Sequence, residues 1–135
     1  MSNWTHVAGI MRLDSIRGIT PQPDFEKMIG MECLWNSGES VHDDAWEHKD
    51  AYLPMGSEGS LQKTVWTNPE TEYVFSYVVS IFGDLRDHDS AQEIVDWFQK
   101  KCSEVEHYGC YVRDAVITAT NEMFGTATWT FEEEE

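Results

Sequence analysis

The chain has 135 residues, 41% hydrophobic and 13% aromatic, and a formal net charge of −16 from 25 acids against nine bases. That much apolar side chain excludes a disordered acidic polymer, and the length suits one domain. The charge disfavours direct contact with nucleic acid or an anionic membrane. The expected organisation is a single acidic α+β domain over residues 1–131 with a solvated acidic tail at 132–135.

Cys33, Cys102 and Cys110 are odd in number and form no CxxC pair, which argues against a disulfide framework and against a zinc ribbon. Met1-Ser2-Asn3-Trp4 lacks the basic and apolar blocks of a signal peptide, and no apolar run approaches membrane-spanning length. A reduced, cytoplasmic protein is the expectation.

In chain order, Trp4 to Leu13 is expected to be a strand with both faces partly apolar, Trp4, Ala8 and Ile10 on one side and Val7, Met11 and Leu13 on the other. Such strands usually lie centrally in their sheet, and Gly9 would admit a close neighbour. After Pro21 and Pro23, Asp24 to Gly30 reads as a short helix with Phe25, Met28 and Ile29 on one face. Val41, Ala45, Trp46 and Tyr52 permit another short helix starting near Ser40, and Pro54 to Ser60 reads as a flexible loop.

Leu61 to Thr67 and Glu72 to Phe82 alternate as strands of an antiparallel hairpin, joined by a turn at Asn68-Pro69-Glu70-Thr71. The clearest helix runs from Ser90 to about Glu106, with Ala91, Ile94, Val95, Phe98, Cys102 and Val105 on one stripe. Ser90-Ala91-Gln92-Glu93 matches a capping box. Gly109 breaks the chain before two further strands, Cys110–Thr120 and Thr126–Phe131. This order implies an antiparallel sheet of about five strands with one main helix and one or two short helices on one face. Its nearest architecture is the ferredoxin-like split βαβ with an added C-terminal strand.

Two clusters could carry chemistry. "GDLRDHDS", Gly83 to Ser90, places Asp84, Arg86, Asp87, His88 and Asp89 between the best strand and the best helix. Those carboxylates suit a hard divalent cation, with His88 as a base. The more economical account is the entrance of a helix, whose positive end each acid would oppose. On the second account Gly83 turns the chain out of its strand, and the same acids leave no room for a phosphate.

The other cluster, His42 to His48, belongs to an acidic region holding Asp24, Glu26, Glu32, Glu39, Asp43, Asp44, Glu47, Asp50 and Glu58 against Lys27 and Lys49. Trp35, Trp46 and Tyr52 lie among the acids as possible interface anchors. Nucleophile elbows, dinucleotide fingerprints and phosphate-binding loops do not occur in the sequence. Arg12, Arg17, Arg86 and Arg113 would hold an anion if the strands gathered them.

The expectation is therefore a non-enzymatic binding protein, without cofactor, whose acidic surface engages a basic partner through Asp43, Asp44, Trp46, Glu47 and Asp50. Stated most sharply, it is an inhibitor that imitates a row of phosphates and fills the groove of a nucleic-acid-binding enzyme or complex. Small acidic phage proteins directed against defence systems, anti-CRISPR proteins among them, work in this way. That comparison is one of size and charge, and no motif carries it. The alternatives are a small-molecule or metal site, or an enzyme, at the Gly83–Asp89 loop, and a homo-oligomeric assembly component that pairs through its last strand.

Overall fold

The computed structural model describes residues 3–16, 23–33, 44–68 and 74–132. The expected helix start at Ser40 and Val41, the turn at 69–71, Arg17, His42, Asp43 and residues 133–135 lie outside the described residues. Strand β1, Trp4–Ile16, buries alternate positions, with Val7, Met11 and Leu13 flanked by the buried hydroxyls of Thr5 and Ser15, and forms the middle of the main sheet. The short hairpin strands β2, Met55–Gly56, and β3, Gly59–Ser60, precede β4, Gln62–Asn68, and β5, Val74–Arg86. Then come β6, Tyr111–Asn121, and β7, Gly125–Thr130.

The main sheet has the order β4-β5-β1-β6-β7, and every neighbouring pair is antiparallel. Two crossovers generate it. The chain from β1 to β4 steps over the position of β5, and the chain from β5 to β6 steps over β1. These are the two split βαβ units of the expected architecture, with β7 as the added strand.

The helices cover one face. In α1, Phe25–Met28, the Asp24 carboxylate accepts hydrogen bonds from the Glu26 and Lys27 amides, and Phe25 meets Tyr77 edge-on at 5.2 Å between centroids. The main helix α2, Ala91–Glu104, packs on β6 and β7, where Phe98 meets Trp129 at 6.0 Å. A 3-10 turn at Val105–Tyr108 follows, and left-handed Gly109 ends it. Between the layers lie Val7, Met11 and Leu13 of β1, Tyr77, Val79, Ile81 and Leu85 of β5, Ile117 of β6, and Ile94, Val95 and Phe98 of α2, all buried. Each fully buried aliphatic or aromatic side chain contributes about 1.5–3 kcal/mol. The expected close approach at Gly9 is present, since a β-carbon there would stand 3.1 Å from Ile117 Cγ1.

β1 is central, as its apolar pattern implies, yet it is buried on one side. Ile10, with Trp66, Phe82 and Val116 from neighbouring strands, remains exposed on the other. Three local expectations need correction. β5 does not stop at Phe82: it runs to Arg86 because residues 83–86 pair with Val7 through Trp4 of β1. Gly83 therefore lies inside the ladder, with φ +147°, and is not the exit from the strand. Pro54–Ser60 is not a flexible loop, since its hairpin is held by Ser57 N–H on the Arg86 carbonyl at 2.8 Å and Ser60 N–H on the Cys33 carbonyl at 2.8 Å.

Candidate functional site

The octapeptide at Gly83–Ser90 is split by the geometry of its strand. The pleat sends Leu85 into the core and Asp84 and Arg86 to the opposite face. Asp84 stands opposite His6 in the β1–β5 register and accepts a hydrogen bond from His6 Nδ1 at 2.6 Å. That bond, with Glu122 at 3.6 Å from Nε2, raises the His6 pKa above its ordinary value against a smaller opposing effect of burial. Arg86 Nη1 reaches Glu58 Oε1 at 2.6 Å, across the small hairpin.

At Asp87 the backbone turns into the left-handed region, with φ 61°, and the chain leaves the sheet. Asp87 Oδ2 accepts from Ser57 Oγ at 2.8 Å. The corner is then tied down through the carbonyl of His88, which accepts from Thr5 Oγ1 at 2.5 Å and Asn121 Nδ2 at 3.0 Å. Asn121 also donates to Thr5 Oγ1 at 3.0 Å, and its Oδ1 accepts from the Met123 and Phe124 amides at 2.9 and 2.8 Å. One buried amide thus joins β1, the corner and the β6–β7 turn.

The capping box forms in one direction. Ser90 Oγ accepts from Glu93 N–H at 3.1 Å, but Ser90 N–H donates to His88 Nδ1 at 3.4 Å and not to Glu93. Nδ1 acts as acceptor, so the neutral ring carries its proton on Nε2. The Glu93 carboxylate is thereby left available to a neighbouring surface.

The second cluster is a helical turn at 44–47 followed by a 3-10 turn at Lys49–Ala51. Ala45, Cys33 and Tyr52 form a small buried cluster that seats it. Tyr52 O–H donates to Asp44 Oδ2 at 2.6 Å; that bond first, then burial and the Asp44 charge, push the phenol up to about 12. Parallel bridging of Met31 with Tyr52, and Leu53 N–H on the Met31 carbonyl at 2.9 Å, fix the following backbone. Asp44 is thus engaged in holding the turn, whereas Trp46, Glu47 and Asp50 are exposed.

These two clusters, separated by about forty residues of sequence, face one another across a single cleft of about 430 Å³, within the roughly 300–1,000 Å³ range of small-ligand sites. Trp46, Lys49 and Asp50 come from one side; Asp87, His88, Asp89 and Glu93 come from the other. Leu53, Ile94 and Trp97 supply apolar lining. Lys49 Nζ lies over the Trp46 ring at 4.4 Å from its centroid. Asp50, Asp89 and Glu93 have no side-chain hydrogen bond or ion pair with another described residue.

Of the sequence candidates, Trp46, Asp50, Asp87, His88 and Asp89 meet at the cleft, while Asp84 and Arg86 point elsewhere and Glu47 lies in an adjoining surface depression. Among the described residues the arginines do not all gather: Arg86 lies beside Trp4 at one end of β1, whereas Arg12 and Arg113 lie near the other, where Arg113 pairs with Asp14 at 3.2 Å. Among the described residues no three His, Cys, Asp or Glu side chains converge to hold a metal ion. All three thiols are buried, and burial raises each above its ordinary pKa.

Sequence reasoning missed Trp97, Glu93 as a cleft carboxylate, and Asn121. Trp97 had a legible signal, an aromatic at the boundary between the apolar stripe of α2 and its water-facing side, four residues from Glu93. Comparison of the chain with known protein families, characterised proteins and solved structures finds no match in any of the three. Among the described residues no helix is long and apolar enough to cross a membrane.

Proposed function

We propose that the protein is a non-enzymatic binding protein whose acidic surface engages a basic protein partner. The observation that carries this reading is the meeting of two sequence-distant acidic segments across one cleft, with tryptophans among the acids. Carboxylates at this density attract a basic surface over a distance comparable with the Debye length of about 8–10 Å. Aromatics set among the acids, Trp46 exposed and Trp97 half-buried, supply the short-range contacts that charge alone lacks. Trp46, Glu47 and Asp50 are the contact residues on one side, Asp89 and Glu93 on the other. A surface that binds nucleic acid has the required basic character, so occupancy of such a surface would inhibit its owner.

The test is capture of partners from cell lysate on immobilised protein at about 0.05 M and 0.5 M salt, a range over which the Debye length falls roughly threefold. The triple variant Glu47→Lys, Asp50→Lys, Glu93→Lys is run in parallel, with Asp44 left intact because it holds Tyr52. A basic protein captured at low salt, and lost both at high salt and with the variant, supports the reading. Capture indifferent to salt and to charge reversal overturns it.

A further inference from the structure

Lys49 occupies an unusual place in the cleft. It is exposed, and the described contact of its ammonium is the Trp46 ring, 4.4 Å from Nζ to centroid. An aromatic face attracts a cation electrostatically, the more so where water is partly excluded. Four carboxylates, those of Asp50, Asp87, Asp89 and Glu93, line the same cleft as this ammonium. Asp87 is shared with Ser57 and lies 4.0 Å from Arg86 Nε. The other three carboxylates have no such partner among the described residues, so the cleft holds more negative charge than its own cation offsets.

We infer that this cleft is a recognition site for an alkylammonium or guanidinium group, seated against Trp46 in the place that Lys49 Nζ now holds, and that Lys49 is the built-in competitor such a ligand displaces. The inference rests on the proposed binding of a basic partner and names the chemical group that enters. The apolar lining from Leu53, Ile94 and Trp97 suits the methylene stem of a lysine or arginine, which buries its carbons while its charged head meets acid. A guanidinium has the further advantage of stacking on indole while hydrogen-bonding a carboxylate in two places. The cost of binding is the release of Lys49 into water, where an ammonium is well hydrated. Its flexible stem allows that exchange without backbone movement.

The experiment is calorimetric titration of the full chain with an eight-residue arginine–glycine repeat peptide, and separately with spermidine. The variants are Lys49→Gln, Lys49→Arg, Trp46→Leu, the double variant of Lys49→Gln with Trp46→Leu, and Lys100→Gln. The last removes an equal charge from the exposed surface of α2, one turn beyond Trp97 and outside the residues that line the cleft. Lys49→Gln is expected to tighten the peptide by about two- to fivefold, the worth of one exposed cation–π contact. Lys49→Arg should leave affinity near that of the parent chain, and Trp46→Leu should weaken binding and abolish the gain from Lys49→Gln.

A gain from Lys100→Gln equal to that from Lys49→Gln, or a gain that survives Trp46→Leu, overturns the seat at Trp46 while leaving the acidic-surface reading in place. Spermidine binding with the same Lys49 and Trp46 dependence, when the peptide does not bind, supports the seat and removes the protein partner. No binding of either probe to the parent chain or to Lys49→Gln overturns both.

Discussion

Gly56 is in backbone contact with Arg86: a β-carbon on Gly56 would lie 2.4 Å from the Arg86 carbonyl oxygen and 2.8 Å from its nitrogen. Both obstructing atoms belong to β5, whose pairing with β1 fixes them, so no rotamer change relieves the clash. Gly56→Ala is expected to lift the Met55–Ser60 hairpin and cost about 1–3 kcal/mol. The check is a lower urea midpoint, accompanied by loss of hydrogen-exchange protection at the Ser57 amide, which donates to Arg86.

Asn121 is a buried polar junction, 2% exposed, and its amide satisfies donors and acceptors from three segments. Asn121→Ala strands the Met123 and Phe124 amides and leaves the His88 carbonyl with fewer donors. The expected loss is about 2–3 kcal/mol, since each buried group deprived of its partner costs about 1–3 kcal/mol when water does not replace it. Chemical denaturation measures the loss, and faster exchange of the Met123 and Phe124 amides locates it.

Tyr52 should titrate late. Its hydrogen bond to Asp44, reinforced by burial, holds the phenol up to about 12. The folded value lies above the unfolded value of about 10. The associated stability is therefore complete below pH 10 and is lost as pH rises towards 12. Absorbance titration near 295 nm should show a late phase that Tyr52→Phe removes, and the variant should lose part of the ordered 44–51 segment at neutral pH.

His6 gives a pH dependence in a lower window. Its raised pKa comes first from the hydrogen bond to Asp84. The stabilisation is complete below the unfolded value of about 6.5 and is lost as pH rises through the folded value. The pair is exposed, so the effect is at most about 1 kcal/mol. His6→Gln should flatten the decline in thermal midpoint expected of the parent chain above about pH 6.5. An identical pH profile in both proteins counts against the pairing.

The three thiols should be unreactive in the folded protein. Burial raises Cys102 to about 12 and Cys110 to about 11, and Cys33 is also shifted upward. Thiolate is the reacting species, so an aromatic disulfide reagent at pH 8 should label none within minutes and all three in denaturant. Rapid labelling of the folded chain would show that one of these core positions opens readily.

The sheet was legible because period-two alternation survives along β1, β5 and β6, and the crossovers follow from the order of strands and helices. The corner was less so. Adjacency in sequence made Asp84, Arg86, Asp87 and Asp89 look like one site, but the pleat and the left-handed Asp87 send them to different neighbours. Their question, cap or ligand site, resolves into parts: Ser90 caps, Asp84 pairs with His6, and Asp89 faces the cleft. The small hairpin beside the cleft was hidden because a glycine- and serine-rich stretch reads locally as mobile. Its order comes from contacts with Arg86 and Cys33, which lie 30 and 27 residues away from Gly56 and Ser60 respectively.

The position of β1 also governs how the chain can assemble during synthesis. This strand is made before both of its partners, Val74–Arg86 and Tyr111–Asn121, the latter ending 105 residues beyond Ile16. At about 5–20 residues per second, its apolar positions wait roughly 5–20 s before the second partner has been translated. A ribosome paused between these strands would hold out a half-paired central strand with one edge open. Slow codons or low temperature in that interval should therefore reduce recovery of folded protein more than any equal delay after Asn121.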